Sequence, residues 1–107
     1  MTDVPEIGPK EFLARRASSE PVVLLDVREA WELEIASLPG VLHIPMGEIA
    51  DRLEELDARV ETVVLCRSGR RSYDVARFLQ QNGFNAVNLA GGILAWARDV
   101  DPDLPTY

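Results

Sequence analysis

The sequence has only one cysteine and one histidine among its 107 residues. A single cysteine cannot form a disulfide within the chain, so disulfide cross-linking does not hold this fold together. A structural zinc site is not expected either, because such sites take four cysteine and histidine ligands. We therefore expect no bound metal and a reducing, cytoplasmic environment.

Long apolar runs and positive charge are also scarce. No stretch reaches the roughly 20 apolar residues that a membrane-spanning helix needs. Residues 1–6 show no basic segment followed by an apolar one, so we expect no secretory signal. The chain has 11 basic and 18 acidic residues, which gives a net charge of −7. General nucleic-acid binding requires a basic face and is therefore disfavoured.

The length favours a single domain over residues 1–107. Runs rich in valine and leucine alternate with segments of helical spacing, which is typical of an α/β fold with a mainly parallel sheet covered by helices on both faces. We predict strands at residues 22–26, 41–44, 62–65 and 86–89, and helices at residues 9–17, 29–35, 47–56, 72–82 and 93–98. The two tryptophans, Trp31 and Trp96, lie in predicted helices and are expected to fill the core.

Two chemically capable residues follow the two most apolar strands. Asp26 ends the first of these strands, and Cys66 comes directly after the second. Ligands of parallel sheets bind at the carboxyl ends of the strands. We therefore expect Asp26 and Cys66 to lie at the same functional edge.

The segment from Cys66 to Ser72 reads Cys-Arg-Ser-Gly-Arg-Arg-Ser and connects a predicted strand to a predicted helix. Gly69 permits a tight turn with positive φ. A loop that curls around the sulfur would direct its N–H groups inward, and the start of the helix would add partial positive charge. Three arginines in five positions add further positive charge. All of these effects favour the thiolate, which would need no neighbouring base to act as a nucleophile.

A lone cysteine after a strand is more often a small buried hydrophobe than a catalyst. The polar residues that follow Cys66 are poor packing material and suit an anion instead, so we favour the nucleophile. This hypothesis requires that solvent reach the sulfur.

Three segments resemble the single-domain rhodanese family of sulfurtransferases. Residues 24–45 resemble its first signature, residues 66–72 its active-site loop Cys-Arg-Ser-Gly-x-Arg-Ser, and residues 88–97 its closing Gly-Gly-x-x-x-Trp. Their order and spacing also match. One departure is Ala36-Ser37, where many members carry Gly-His. The resemblance implies a rhodanese-like fold with a central, mainly parallel five-stranded sheet.

The resemblance also implies a reaction. Cys66 would take a sulfane sulfur from a donor such as thiosulfate as a persulfide, and cyanide, a thiol or a sulfur-carrier protein would then remove it. No cofactor is implied. The substrate would be bound by the loop residues Arg67, Ser68, Gly69, Arg70, Arg71 and Ser72. Neutralising Arg67 or Arg71 is then expected to weaken thiosulfate binding and to leave folding intact.

Two residues before the loop match the Asp-Val-Arg of the family signature. Arg28 is expected to pair with a carboxylate, and Asp26 to brace the active loop by hydrogen bonds. A plain structural ion pair is an equal alternative. His43 is expected to have a structural hydrogen bond rather than a catalytic role.

The final segment, residues 95–107, resembles the end of rhodanese-like domains fused to enzymes that adenylate small sulfur carriers. This resemblance implies a sulfur-carrier protein, or another sulfur-relay protein, as a partner.

Two alternatives remain open. A cysteine phosphatase or arsenate reductase would also use a cysteine loop, but those loops follow Cys-x5-Arg, whereas Arg71 gives Cys-x4-Arg and the x5 position is Ser72. A shorter loop suits a sulfur atom better than a tetrahedral phosphate. The other alternative is a rhodanese-like binding module without turnover, although such modules typically lack the cysteine.

Overall fold

The computed structural model of the protein describes residues 4–107. Its centre is a sheet of five parallel strands in the order β1-β5-β4-β2-β3. The strands are β1 (Glu6–Ile7), β2 (Val22–Asp26), β3 (Leu42–His43), β4 (Glu61–Leu65) and β5 (Ala86–Leu89). The predicted α/β class, with a parallel five-stranded sheet, is confirmed.

Three α-helices connect strands, and a fourth follows the last strand. They are α1 (Pro9–Ala17), α2 (Ala30–Ile35), α3 (Arg70–Gln81) and α4 (Gly92–Asp99). Pro9 occupies the start of α1, where its missing N–H costs no helical hydrogen bond. The helices agree with the predicted segments to within two residues at each end, and α3 begins earlier than predicted, directly after Gly69.

Three local predictions were wrong or incomplete. Residues 47–56 form two 3-10 helices, Met46–Asp51 and Leu53–Glu55, rather than one α-helix. Apolar spacings of three and four do not distinguish these helix types over ten residues. Strand β1 was not predicted, because two residues carry too little pattern. Trp31 is 58% exposed rather than buried, whereas Trp96 is 5% exposed, as predicted.

The sheet separates two apolar cores because successive strand residues point to opposite faces. On β4, Val64 packs into a core with Leu25 of β2, while its neighbours Val63 and Leu65 pack into the other. The second core also contains Phe12 and Trp96, whose rings are 5.8 Å apart. Both faces of β4 are buried, which explains its continuous apolar run.

The start of α4 packs tightly against the segment that follows β4. The N–H of Ile93 donates to the carbonyl of Cys66 at 2.9 Å, and the N–H of Leu94 donates to the carbonyl of Arg67 at 3.1 Å. Gly92 makes this approach sterically allowed. A Cβ at Gly92 would lie 2.5 Å from the carbonyl oxygens of both Cys66 and Arg67, and its φ is +61°.

Replacing Gly92 by alanine is therefore expected to destabilise the fold. The left-handed backbone and the steric clash together predict a loss of about 2–4 kcal/mol in the free energy of unfolding, measured by urea denaturation. Gly47→Ala is the matched control, because a Cβ at Gly47 meets nothing within 4 Å. A Gly92→Ala protein as stable as the control would contradict this account of the contact.

Candidate active site

Cys66 lies directly after β4, at the carboxyl edge of the sheet, and just before α3. Its neighbour Leu65 is paired in register with Asp26 of β2, so the two chemically capable residues do share one edge, as predicted. The Cys66 sulfur receives a hydrogen bond from the N–H of Gly69 at 3.1 Å and one from the Ser72 hydroxyl at 3.2 Å. Two polar donors directed at the sulfur distinguish Cys66 from the apolar residues around it.

The surroundings of the sulfur differ from the predicted ring of amides. Among residues 4–107, one main-chain N–H and one side-chain hydroxyl donate to it. Cys66 is also only 1% exposed, and it packs with Val27 and Val64 in one of the cores. This burial contradicts the expectation that solvent reaches the sulfur.

The loop is held in place by groups that the sequence analysis did not identify. The side-chain amide of Asn88 on β5 donates to the carbonyl of Gly69 at 2.9 Å and to the Glu6 carboxylate at 2.8 Å. Gly69 has φ +99°, and a Cβ there would lie 3.0 Å from the main-chain nitrogen of Gly91. The glycine that donates to the sulfur is therefore fixed from the far side by β5 and the start of α4.

Arg71 does not point freely at a substrate. Its guanidinium donates to both carboxylate oxygens of Glu32, at 2.7 and 2.9 Å, in a bidentate ion pair. The Arg71 side chain is 36% exposed and that of Glu32 only 3%. The pKa of Arg71 is raised chiefly by the hydrogen bond to Glu32, with a smaller contribution from the charge of Cys66. Arg71 thus lies within electrostatic range of the sulfur while its geometry is set by Glu32.

Arg67 is also engaged. Its Nε and Nη2 donate to the main-chain oxygen of Tyr107, and its guanidinium carbon lies 5.2 Å from the centre of the Tyr107 ring. By contrast, the side chains of Ser68 and Arg70 are on the exposed part of the loop. Of the three loop arginines, Arg70 is therefore the one most available to a dissolved anion.

Asp26 and Arg28 form a fully buried ion pair. Both side chains are 0% exposed, and the Nη2 of Arg28 lies 2.8 Å from the Asp26 carboxylate. The Asp26 side chain also accepts from the Nε and main-chain N–H of Arg28. The expected pairing of Arg28 is present, but the hydrogen bonds of the Asp26 side chain go to Arg28 and not to the Cys66 loop. Breaking such a pair from one side costs about 3–5 kcal/mol.

Arg28 extends this pair into a larger network. Its Nη2 donates to the carbonyl of Ala36 at 2.9 Å, and its Nη1 donates to the Tyr107 hydroxyl at 3.0 Å. That hydroxyl in turn donates to Glu32 at 2.6 Å. Since Ala36 contributes its carbonyl, the departure at Ala36-Ser37 leaves this contact unchanged.

Glu32 is the centre of the network. The hydrogen bond from Arg71 outweighs the effect of burial, and together with the Tyr107 hydroxyl it lowers the pKa of Glu32 from 4.5 to about 2. Glu32 also accepts from the N–H of Glu29 at 3.0 Å, which fixes the start of α2. A buried carboxylate with these partners remains ionised at neutral pH.

Three site residues were missed from the sequence: Glu32, Asn88 and Tyr107. The only available signal for Glu32 was its place three residues after Glu29, a spacing typical of a helix start. Nothing in the pattern indicated that Asn88 or Tyr107 would reach the Cys66 loop. His43 was correctly assigned a structural bond, since its Nε2 lies 2.7 Å from the carbonyl of Arg28.

Other features of the described chain do not add to the site. A cavity of about 260 Å³, lined by Val22 and Glu61 among others, lies at the amino ends of β2 and β4, opposite Cys66. Within residues 4–107, no group of three His, Cys, Asp or Glu side chains is arranged to hold a metal ion. In the same residues, no helix has the length and apolar character needed to cross a bilayer.

Comparison with known proteins agrees with the arrangement at Cys66. The chain is 41% identical over 96 residues to a sulfurtransferase of Allochromatium vinosum. This alignment covers 89% of this chain and 90% of that protein. It is 42% identical over 96 residues to YrkF of Bacillus subtilis, provisionally named as a sulfur carrier protein. That match covers 89% of this chain and 52% of YrkF, so the chain spans about half of YrkF.

Solved structures and family models give the same result. The structure superposes on a rhodanese-like domain protein from Staphylococcus aureus with a TM-score of 0.84 and 32% identity, over 97% of this chain and 99% of that one. The names of the relatives support sulfur transfer as the general activity. The model of the rhodanese-like domain matches residues 8–99, and the chain therefore belongs to the rhodanese-like domain family.

Proposed function

We propose that the protein is a sulfurtransferase that takes a sulfane sulfur from thiosulfate, or a related anionic donor, onto Cys66. The observation that carries this proposal is the pair of hydrogen bonds from Gly69 and Ser72 to the sulfur at the start of α3. Both donors stabilise negative charge on sulfur, and the charge of Arg71 acts in the same direction.

The first step forms a persulfide. The Cys66 thiolate attacks the outer sulfur of thiosulfate, a new S–S bond forms to Cys66, and the S–S bond of thiosulfate breaks. Sulfite leaves with the bonding electron pair, so the step needs no oxidant and no proton acceptor. Gly69 and Ser72 then stabilise the anionic persulfide, in the way that preorganised donors stabilise charge that develops during a reaction.

The second step returns the enzyme to its starting state. A nucleophilic acceptor, such as cyanide or a thiol, attacks the terminal sulfur, and the electron pair of the broken bond returns to Cys66. Because Cys66 is 1% exposed, the reaction requires a local movement that exposes the sulfur to donor and acceptor. Access is therefore part of the mechanism and limits how large the reacting group can be.

The acceptor we propose is a sulfur-carrier or other sulfur-relay protein. The name of the relative YrkF supports this choice, as does the resemblance of residues 95–107 to rhodanese-like domains fused to carrier-adenylating enzymes. A reducing, cytoplasmic location suits such a relay, because it keeps Cys66 reduced between cycles.

The phosphatase alternative is less well supported. Its loops need an arginine at the position of Ser72, and Ser72 instead is buried and donates to the sulfur. Nothing observed favours a binding module without turnover, since the cysteine and its donors are intact.

The direct test is persulfide formation. Incubation with thiosulfate is expected to add one sulfur atom to the wild-type protein and none to Cys66→Ser, as measured by intact mass spectrometry. Treatment with cyanide should remove the added sulfur. Absence of the adduct in the wild type, together with turnover of an aryl phosphate assayed in parallel, would refute sulfur transfer in favour of the phosphatase.

The loop arginines are expected to separate into two classes. Arg70→Gln should raise the KM for thiosulfate about threefold to tenfold and leave unfolding within about 0.5 kcal/mol of wild type, because Arg70 is exposed. Arg71→Gln should raise the KM as well, but it should also destabilise the fold by about 1–3 kcal/mol, because Glu32 loses its buried ion pair. This value allows for the partial solvent screening of Arg71.

The ion pair with the buried Glu32 contradicts the expectation from the sequence that an Arg71 substitution leaves folding intact. Thiosulfate kinetics and urea denaturation on the same preparations separate the two effects. Equal stability of the two variants would show that the ion pair with Glu32 contributes nothing in solution.

The lowered pKa of Glu32 predicts an acid-sensitive contribution to stability. The folded pKa of about 2 lies below the ordinary 4.5, so the contribution is full above about pH 4.5 and is lost as the pH falls toward 2. The difference in unfolding free energy between wild type and Glu32→Gln should shrink by about 2–3 kcal/mol over this range. Urea denaturation at several pH values measures it, with Glu34→Gln as the control because Glu34 is exposed on the same helix. A difference independent of pH would contradict the assignment.

A further inference from the structure

Tyr107 contacts three different parts of the site. Its hydroxyl accepts from Arg28 at 3.0 Å and donates to Glu32 at 2.6 Å. Its main-chain oxygen accepts from the guanidinium of Arg67, and its ring lies 5.2 Å from the carbon of that guanidinium. The ring also meets Trp31 edge-on, with centroids 6.2 Å apart.

These contacts form a chain of hydrogen bonds that begins and ends on the Cys66 loop. The path runs from Arg67 to Tyr107, from Tyr107 to Glu32, and from Glu32 to Arg71. Both of its ends lie on the Cys66 loop, four residues apart in sequence. Tyr107 is thus the residue that connects the two arginines on either side of the exposed part of the loop.

We propose that Tyr107 is a positioning residue that sets the orientation of Arg67 and Arg71 on the loop around Cys66, and so determines how well an anion is attracted to the sulfur. The inference rests on the proposed function, because it concerns the anion site of that reaction. Tyr107 itself does not contact the sulfur, and it acts through the two guanidinium groups.

The physical basis is the cost of ordering two long side chains. Free arginine side chains sample many rotamers, and fixing them before the substrate arrives reduces the entropy lost on binding. Tyr107 supplies an oxygen acceptor and an aromatic face for Arg67. For Arg71 it acts indirectly, because its hydroxyl stabilises the Glu32 carboxylate that holds Arg71 in a bidentate pair.

Two substitutions separate these contributions. Tyr107→Phe removes the hydroxyl and keeps the ring, so it affects the contacts to Glu32 and, through Glu32, to Arg71 (the Arg71 branch). Tyr107→Ala removes the ring as well, so it also affects the contact with Arg67 (the Arg67 branch). Tyr73→Phe is the matched control, because Tyr73 is the other tyrosine of the chain and, among residues 4–107, its hydroxyl has only a 3.5 Å contact with the N–H of Val4.

The main readout does not depend on sulfur transfer. Cys66 is alkylated with iodoacetate, an anion, and with iodoacetamide, its neutral analogue, and the ratio of the two rate constants reports guidance of anions to the sulfur. We expect the ratio to fall about threefold in Tyr107→Phe and about tenfold in Tyr107→Ala, and to remain unchanged in Tyr73→Phe. The KM for thiosulfate should rise by the same factors while kcat stays within about twofold.

A double substitution tests whether Tyr107 acts through Arg67. In an Arg67→Gln background, Tyr107→Ala should lower the alkylation ratio by only about threefold, because the Arg67 branch is already lost. A full tenfold effect in that background would overturn the coupling.

The outcomes separate the two proposals. If wild type forms no persulfide, the proposed function fails, and the alkylation ratio still decides the role of Tyr107. An unchanged ratio in both Tyr107 variants, or a wild-type Cys66 that neither reagent alkylates, would overturn the inference. If Tyr107 only stabilises the fold, the variants will unfold at lower urea with the ratio, KM and kcat of wild type. Tyr107→Phe keeps the shape of the side chain and covers the case in which Tyr107→Ala does not fold.

Discussion

The buried ion pair between Asp26 and Arg28 anchors the segments that surround the Cys66 loop on the side of α2 and Tyr107. Neither side chain contacts solvent, so each charge depends on the other and on the hydrogen bonds around them. Arg28 makes further bonds to the Ala36 carbonyl and the Tyr107 hydroxyl, which fix the end of α2 and residue 107. Helix α2 then presents Glu32 to Arg71. A single buried guanidinium thus determines where three separate segments meet.

The Cys66 loop is held from inside by a different kind of contact. The first N–H groups of α4 bind the carbonyls of Cys66 and Arg67, and Asn88 binds the carbonyl of Gly69. Glycine suits positions 69 and 92 because both have a positive φ and because a Cβ would press on neighbouring backbone, tightly at 69 and with a direct clash at 92. With these carbonyls occupied, the loop holds the Gly69 N–H directed at the sulfur.

Much of the fold followed from sequence because its signals are local. Continuous apolar runs predicted β2 and β4, and the residues after them predicted the functional edge. The features that were not predicted depend on contacts between residues far apart in sequence or on patterns that fit more than one structure. Strand β1 depends on pairing with β5, and the partners of Arg67 and Arg71 lie far away in sequence. A pattern of arginines indicates positive charge but not which acceptor each one binds. Predicting all three as substrate ligands therefore overlooked Glu32 and Tyr107, and the exposure of Trp31 beside Tyr107 was missed for the same reason.

The strand order has a consequence for the time course of folding. Strand β1 pairs with β5, and Glu6 meets Asn88 across 82 positions of chain. Chain closure over such separations is slow, and a parallel sheet gains little before its distant strands meet. During synthesis on the ribosome, the first strand must wait until the fifth has emerged, and Tyr107 emerges later still. Cys66 and its donors Gly69 and Ser72 are therefore synthesised before β5, α4 and Tyr107, so the nascent chain carries the thiol on a loop that still lacks the contacts that hold it in the finished site.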